Sequence, residues 1–196
     1  MTATTSAQAC FLSYVERLNQ TLAGTDWGQV EQMAHAIRDC WAKGRRVFLC
    51  GNGGSSANAV HVANDFLYGT AKGVLGAGVR VTALPANVAV LTCLANDQGY
   101  AEIFSRQLAV DGQAGDILIV FSGSGNSANI VEALKQASGM GIQSFAVLGY
   151  SGGKAKELAD VPIHFPINDM QISEDLQMIL THMIMQWLSQ NRPAGE

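Results

Sequence analysis

Charge is scarce in this sequence. Only 14% of its 196 residues are Asp, Glu, Lys or Arg, and the net charge is −4. The 12 Lys and Arg are scattered along the chain, whereas duplex binding draws on clustered cations, so nucleic acid is not expected as a partner. An anionic ligand would have to be held by local groups. Cysteine is also sparse: Cys10, Cys40, Cys50 and Cys93 form no CxxC pair and no zinc-finger spacing, so reduced thiols are expected rather than disulfides. There are only 4 Pro, and no Pro-, Ser- or charge-rich run is long enough to act as a linker, so residues 1–196 read as a single domain. The opening MTATTSAQAC lacks a basic segment followed by an apolar one, and the longest apolar stretch, Met178 to Leu188, is interrupted by Thr181, His182 and Gln186. A soluble, cytoplasmic protein with no membrane partner is therefore the expectation.

Apolar residues and glycine are plentiful, at 48% and 21 residues, as suits parallel strands buried on both faces. Helical apolar spacing runs from Ala7 to Leu22 and from Trp27 to Ala42, with Thr25 or Asp26 placed to cap the second helix. These make residues 1–44 an N-terminal helical hairpin. Short β-rich runs follow at Arg46–Cys50, Val79–Leu84, Asp116–Phe121, Ser144–Leu148 and Val161–Phe165, with helical patterns between them. The alternation predicts an α/β core over 45–170. A C-terminal helix is expected over 171–191; from Leu176 onward it is apolar nearly all round, more than one sheet-facing stripe needs, so an oligomer is expected.

Two loops stand out. The first strand runs into Gly51-Asn52-Gly53-Gly54-Ser55-Ser56 and then a helical pattern; the third runs into Ser122-Gly123-Ser124-Gly125-Asn126-Ser127 and then another. Glycines let main-chain N–H groups approach a ligand, and hydroxyls beside a helix N-terminus favour an anion. Both loops sit at C-terminal strand ends, where open α/β sheets bind ligands. Neither contains the Lys of a nucleotide-binding P-loop. GSGNSA fits GxGxxA, but the following strand, QSFAVLGYS, has no acidic residue for a dinucleotide ribose, so no nucleotide cofactor is expected. A plainer reading, in which Gly and Ser only make turns and caps, also remains open.

The Ser-x-Ser-Gly-x-Ser loop resembles the phosphate cradle of the sugar-isomerase (SIS) fold. CGNGGSSANAVHVANDF, LANDQGYAEIFSRQL, GDILIVFSGSGNSANIVEAL and GYSGGKAKELAD are similar, in order and spacing, to the landmarks of the phosphoheptose isomerases, a resemblance covering residues 7 to 190. It implies a three-layer α/β/α fold with a five-stranded parallel sheet, and a homotetramer with shared active sites. It also implies isomerisation of sedoheptulose 7-phosphate to D-glycero-manno-heptose 7-phosphate through an enediol. By position, Asp65 falls on the family's catalytic glutamate and His182 on its catalytic histidine. The matching residues for sugar-phosphate binding are Asn52, Gly53, Gly54, Ser55, Asp97, Ser122, Gly123, Ser124, Ser127 and Glu174. His61, Asp65, Glu174 and His182 match positions that bind zinc in several members.

Residue chemistry alone allows the same roles, because a carboxylate and an imidazole suffice for proton transfer through an enediol. His61 and Asp65 are four residues apart and share a helix face. Each residue also has a plainer use: His in an apolar helix is often a bonded core residue, Asp65 could be solvated, Glu174 could favour a helix dipole, and Asn52 and Asp97 could brace turns. Three departures from the family pattern bear on the choice of sugar: Asp65 for glutamate, Gly69 where arginine is usual, with Lys72 nearby as a substitute, and Glu174 for glutamine. A non-catalytic relative, of the type that associates with a replication initiator, is the alternative; such a scaffold has no use for both Asp65 and His182.

Overall fold

The structure is a computed structural model and describes residues 6–193. α1 (Ala7–Ala23) and α2 (Trp27–Ala42) form the expected hairpin, and of the two candidate caps Asp26 is the one used, accepting the N–H of Gly28. There follow β1 (Val47–Gly51), α3 (Gly54–Asn64), β2 (Val81–Ala83), α4 (Val88–Asp97), α5 (Ser105–Asp111), β3 (Ile117–Ser122) and α6 (Ala128–Gly139). β4 (Gln143–Leu148), α7 (Gly153–Leu158), β5 (Val161–His164) and α8 (Met170–Gln190) complete the chain. The five predicted strands are all present. β2 is shorter than the VRVTAL run because the chain turns into a 3-10 segment at Leu84-Pro85-Ala86, where proline withdraws a ladder donor.

All strands are parallel, in the order β2-β1-β3-β4-β5. Alternation along each strand divides the core into two layers. Val47, Leu49, Ile117, Ile119, Phe121, Phe145 and Val147 pack with α2, α3 and α8, whereas Phe48, Cys50, Leu118, Val120, Ala146 and Leu148 pack with the α5–α7 side. α3 therefore leaves β1 toward one face, and α6 leaves β3 toward the other. Adjacent strands whose connections diverge in this way open a crevice at their C-terminal ends, and the two glycine-serine loops form its walls.

α8 binds the first layer through Ile172, Leu176, Leu180, Ile184 and Leu188, spaced four residues apart along one stripe. Asp169 caps it by accepting the N–H of Ile172, and that bond, together with one from Arg17 of α1, keeps its carboxyl below the usual range. Because Leu176 is fully buried at the centre of this stripe, Leu176→Ala is expected to lower unfolding free energy by about 2–5 kcal/mol, measured by urea denaturation.

Candidate active site

Asn52, Gly53, Gly54 and Ser55 from the first loop, Ser122, Gly123, Ser124 and Ser127 from the second, and Met170 and Glu174 from α8 line one cleft of about 270 Å³. All but one of the residues expected to bind the sugar phosphate are among them. Asp97 is the exception; it is exposed at the end of α4, where it accepts from Asn96 and from the Cys93 thiol.

The hydroxyls of this cleft are oriented. Ser122 Oγ accepts the N–H of Gly125 at 3.0 Å, and Ser124 Oγ accepts that of Asn126 at 3.3 Å. Ser127 caps α6 without using its side chain. Ser55 Oγ accepts from Gln177 Nε2 at 3.1 Å, and Gln177 Oε1 accepts from Asn58. A hydroxyl that already accepts keeps its own O–H to donate, so serines from both walls present donors to the cleft. The N-termini of α3 and α6, neither capped by a side chain, add a positive end of the helix dipole from each wall. Gly125 has a φ of +66°, and a Cβ there would lie 1.9 Å from the Gly152 carbonyl oxygen, so the second loop can close only with glycine at this position.

A bond network ties the walls together. Asn52 and Asn129 exchange amide hydrogen bonds of 2.9 and 2.8 Å across the crevice, and Tyr100 donates to Asn52 Oδ1 at 2.9 Å. Asn129 is 1% exposed. Neither Asn129, Tyr100 nor Gln177 was found by sequence reasoning. Asn129 and Gln177 carry one signal, a polar residue on a helix face that otherwise reads as buried; Tyr100, exposed in a 3-10 turn, carries none.

At the other end of the site, three side chains meet. Asp65 Oδ2 lies 3.4 Å from His61 Nε2 and 3.3 Å from His182 Nε2, and the two imidazole nitrogens are 3.1 Å apart. His61 reaches Asp65 from one turn back on α3, as the four-residue spacing requires; His182 comes from α8, which packs alongside. Asp65 opens a π-turn, Asp65–Gly69, in which the N–H of Thr70 bonds the Asp65 carbonyl. Such a bulge widens the helix and is often found where a functional side chain must be re-aimed. Gly69 lies against Met185, with a Cβ 3.2 Å from its sulfur, so a long side chain here would have to displace α8 side chains. Lys72 sits in an exposed loop with φ of +47° and has no bond to the site among the described residues.

The donor set suits a small divalent metal. In a tetrahedral site with bonds of about 2.0–2.1 Å, ligand atoms are about 3.3 Å apart. The three separations found here are 3.1, 3.3 and 3.4 Å. His61, Asp65 and His182 form this group without Glu174. The Glu174 carboxylate instead lies over Gly54, where a Cβ would be 2.3–2.5 Å from it. α8 thus carries Glu174 to the serine cleft and His182 to the Asp65 cluster, eight residues or about 12 Å of helix apart.

The amide bridge can be tested on its own. Removing Asn129 leaves Asn52 Nδ2 without its acceptor beside a buried void, whereas removing the Tyr100 hydroxyl leaves the amide pair intact. Asn129→Ala is expected to cost about 1–3 kcal/mol of stability and Tyr100→Phe about 1 kcal/mol or less, measured by urea denaturation.

Known proteins match most of the chain. A family model described as SIS domain matches residues 10–149. The phosphoheptose isomerase of Akkermansia muciniphila is 36% identical over 168 residues, covering 86% of this chain and 88% of the relative. That of Chlorobaculum parvum is 34% identical over 174 residues, covering 88% and 83%. The structure of the phosphoheptose isomerase from Neisseria gonorrhoeae matches with a TM-score of 0.85 at 28% identity, covering 93% of this chain and 96% of that one. The Francisella tularensis phosphoheptose isomerase matches at 0.86 and 26%, with the same coverage. With the cradle, the cluster and the sheet order all in place, the chain belongs to the phosphoheptose isomerase family of SIS-domain proteins.

Proposed function

We propose that this protein isomerises sedoheptulose 7-phosphate to D-glycero-manno-heptose 7-phosphate through an enediol. The observation that carries the reading is the meeting of Asp65 with His182, a carboxylate and an imidazole 3.3 Å apart, beside a serine-lined anion cleft. The serines of both loops hold the phosphate. An open seven-carbon phosphate is about 10 Å long from phosphorus to C1. That length is comparable to the span of α8 between Glu174, which lines the serine cleft, and His182, so a phosphate held by the serines leaves the reacting carbons within reach of His182. The scaffold alternative is disfavoured because the two side chains it would not need are brought into contact.

In the proposed sequence the Asp65 carboxylate takes the proton from C1 of the ketose while His182 gives a proton to the C2 carbonyl oxygen, leaving the enediol. The C1 hydroxyl then returns a proton to His182 as Asp65 delivers its proton to C2, and the aldose is formed with both groups regenerated. His61 fixes the Asp65 oxygen that faces the imidazoles. Asp65 is the first residue of the π-turn, which packs against α8.

Zinc is part of the proposal, held by His61 Nε2, His182 Nε2 and Asp65 Oδ2. When bound there it would supply Lewis-acid stabilisation of the charge that develops on the sugar oxygens. The metal and the proton-transfer roles draw on the same atoms, so turnover with and without added zinc separates them. We place the protein in the cytoplasm, in keeping with four free cysteines; no helix among the described residues is long and apolar enough to cross a membrane.

A homotetramer is proposed on the apolar surface left uncovered. α1 and α4 bury no residue, Phe11, Leu12 and Val15 are exposed on α1, and Trp27, Met183 and Trp187 line an apolar groove between α2 and α8. Sedimentation at micromolar concentration should give a species of four chains; a stable monomer would remove this part of the proposal.

The chemistry and the binding separate by mutation. Asp65→Asn keeps the shape and abolishes the base, and is expected to lower kcat by about 10² to 10⁴-fold with little change in KM. Ser124→Ala removes a phosphate donor and should raise KM about tenfold or more. Both are measured as aldose formation from sedoheptulose 7-phosphate, and full activity of Asp65→Asn would overturn the assignment.

A further inference from the structure

Lys43, Arg45 and Arg46 are neighbours in the sequence, and the fold brings a fourth cation to them. Lys43, Arg45 and Arg46 precede β1 and Arg80 precedes β2, and the parallel pairing of those strands brings all four to one polar cleft of about 280 Å³. This cleft lies at the N-terminal ends of the strands, opposite the serine cleft, with about 16 Å of strand between the two. A third of the chain's 12 Lys and Arg thus gather on a molecule of net charge −4.

Their charge is not spent internally. Two carboxylates, Asp111 and Asp116, also line the cleft. Asp116 is 4% exposed, and its two oxygens are taken by main-chain N–H groups, that of Arg46 at 2.9 Å and that of Gln113 at 2.8 Å. Among the described residues none of the four cations lies within 4.0 Å of a carboxylate, although other ion pairs form elsewhere. Two of the guanidinium groups are nonetheless positioned by neutral partners: Arg80 donates to the Gly44 carbonyl at 2.9 Å and Arg45 to Gln113 Oε1 at 3.4 Å. The Arg46 guanidinium lies 5.7 Å from the centre of the Phe48 ring. Guanidinium groups anchored through one N–H keep their remaining donors for an anion, and an arginine fork matches phosphate oxygens in pairs.

We propose that this cleft is a second anion site, taking the diphosphate group of a small phosphorylated metabolite. The concave shape and the size, at the small end of ligand pockets, suit one or two phosphoryl groups. Four cations facing two carboxylates, confined to one hollow, do not make the extended basic stripe that nucleic acid requires. The inference is independent of the reading of the serine cleft.

Pyrophosphate is the probe, titrated calorimetrically into the full chain at low and at physiological salt. Wild type and Ser124→Ala should both bind it. Arg45→Ala/Arg80→Ala should bind on the order of tenfold or more weakly, the loss expected when charge-assisted donors are removed. Lys43→Gln is the second variant, because its side chain makes no internal bond among the described residues; it should weaken binding in the same direction while leaving the melting temperature unchanged. Both variants should retain wild-type sugar-phosphate turnover. The proposal is overturned if pyrophosphate does not bind wild type, if Ser124→Ala abolishes the binding while the cation variants leave it intact, or if duplex DNA displaces the probe at far lower concentration than a nucleoside diphosphate does.

Discussion

Everything at the functional end of this molecule depends on the divergence of two neighbouring strands. β1 and β3 lie side by side in register, yet β1 sends its chain into α3 on one face of the sheet and β3 sends its chain into α6 on the other. Two parallel strands whose continuations part in this way leave an opening that no side chain of the sheet can fill. The opening is lined instead by main-chain N–H groups, serine hydroxyls and two helix N-termini, all of which favour an anion. Left unbraced, such a crevice would have its polar walls free to move apart. The reciprocal amide pair of Asn52 and Asn129 spans it, with Tyr100 fixing the orientation of Asn52.

The same divergence explains where Asp65 and His182, the groups proposed to react, lie. α3 begins at the crevice and ends at Asp65, so one helix joins an uncapped N-terminus in the crevice to a carboxylate at its far end. α8 runs beside it and brings Glu174 to the crevice and His182 to Asp65. Packing between these two helices, through buried groups such as Leu176 and Leu180, therefore sets both the width of the anion cleft and the contact between His182 and Asp65. The buried polar chain from Asn58 through Gln177 to Ser55 adds direction to that packing, because it consumes the acceptor of Ser55 and leaves its proton for the ligand.

Much of this was legible in the amino-acid sequence, and what was not has a common cause. Strand runs such as DILIVF, the glycine-serine loops after them and the four-residue spacing of His61 and Asp65 are local features, readable from neighbouring letters. Asp26 and Thr25 were equally good caps on paper; only the path of the chain selects Asp26. The partnership of Asn52 with Asn129, 77 positions apart, and the approach of Glu174 to Gly54 depend on which helix passes which loop, and no local pattern carries that information. The π-turn at Asp65 was hidden because a helix with one wider turn keeps nearly the same apolar spacing. The approach of Arg80 to Lys43, Arg45 and Arg46 was hidden for the same long-range reason: strand pairing brings it to residues 34 or more positions away in the sequence.

The central claim is that the Asp65 cluster moves a proton between adjacent carbons of a sugar phosphate held by the serine loops. The most direct measurement is to run the reaction from sedoheptulose 7-phosphate in deuterium oxide and examine the aldose by proton NMR. A side chain that carries the proton while 18% exposed should exchange part of it with solvent, so the account predicts deuterium at C2 of the product. Undiminished turnover and deuterium incorporation by Asp65→Asn would contradict it.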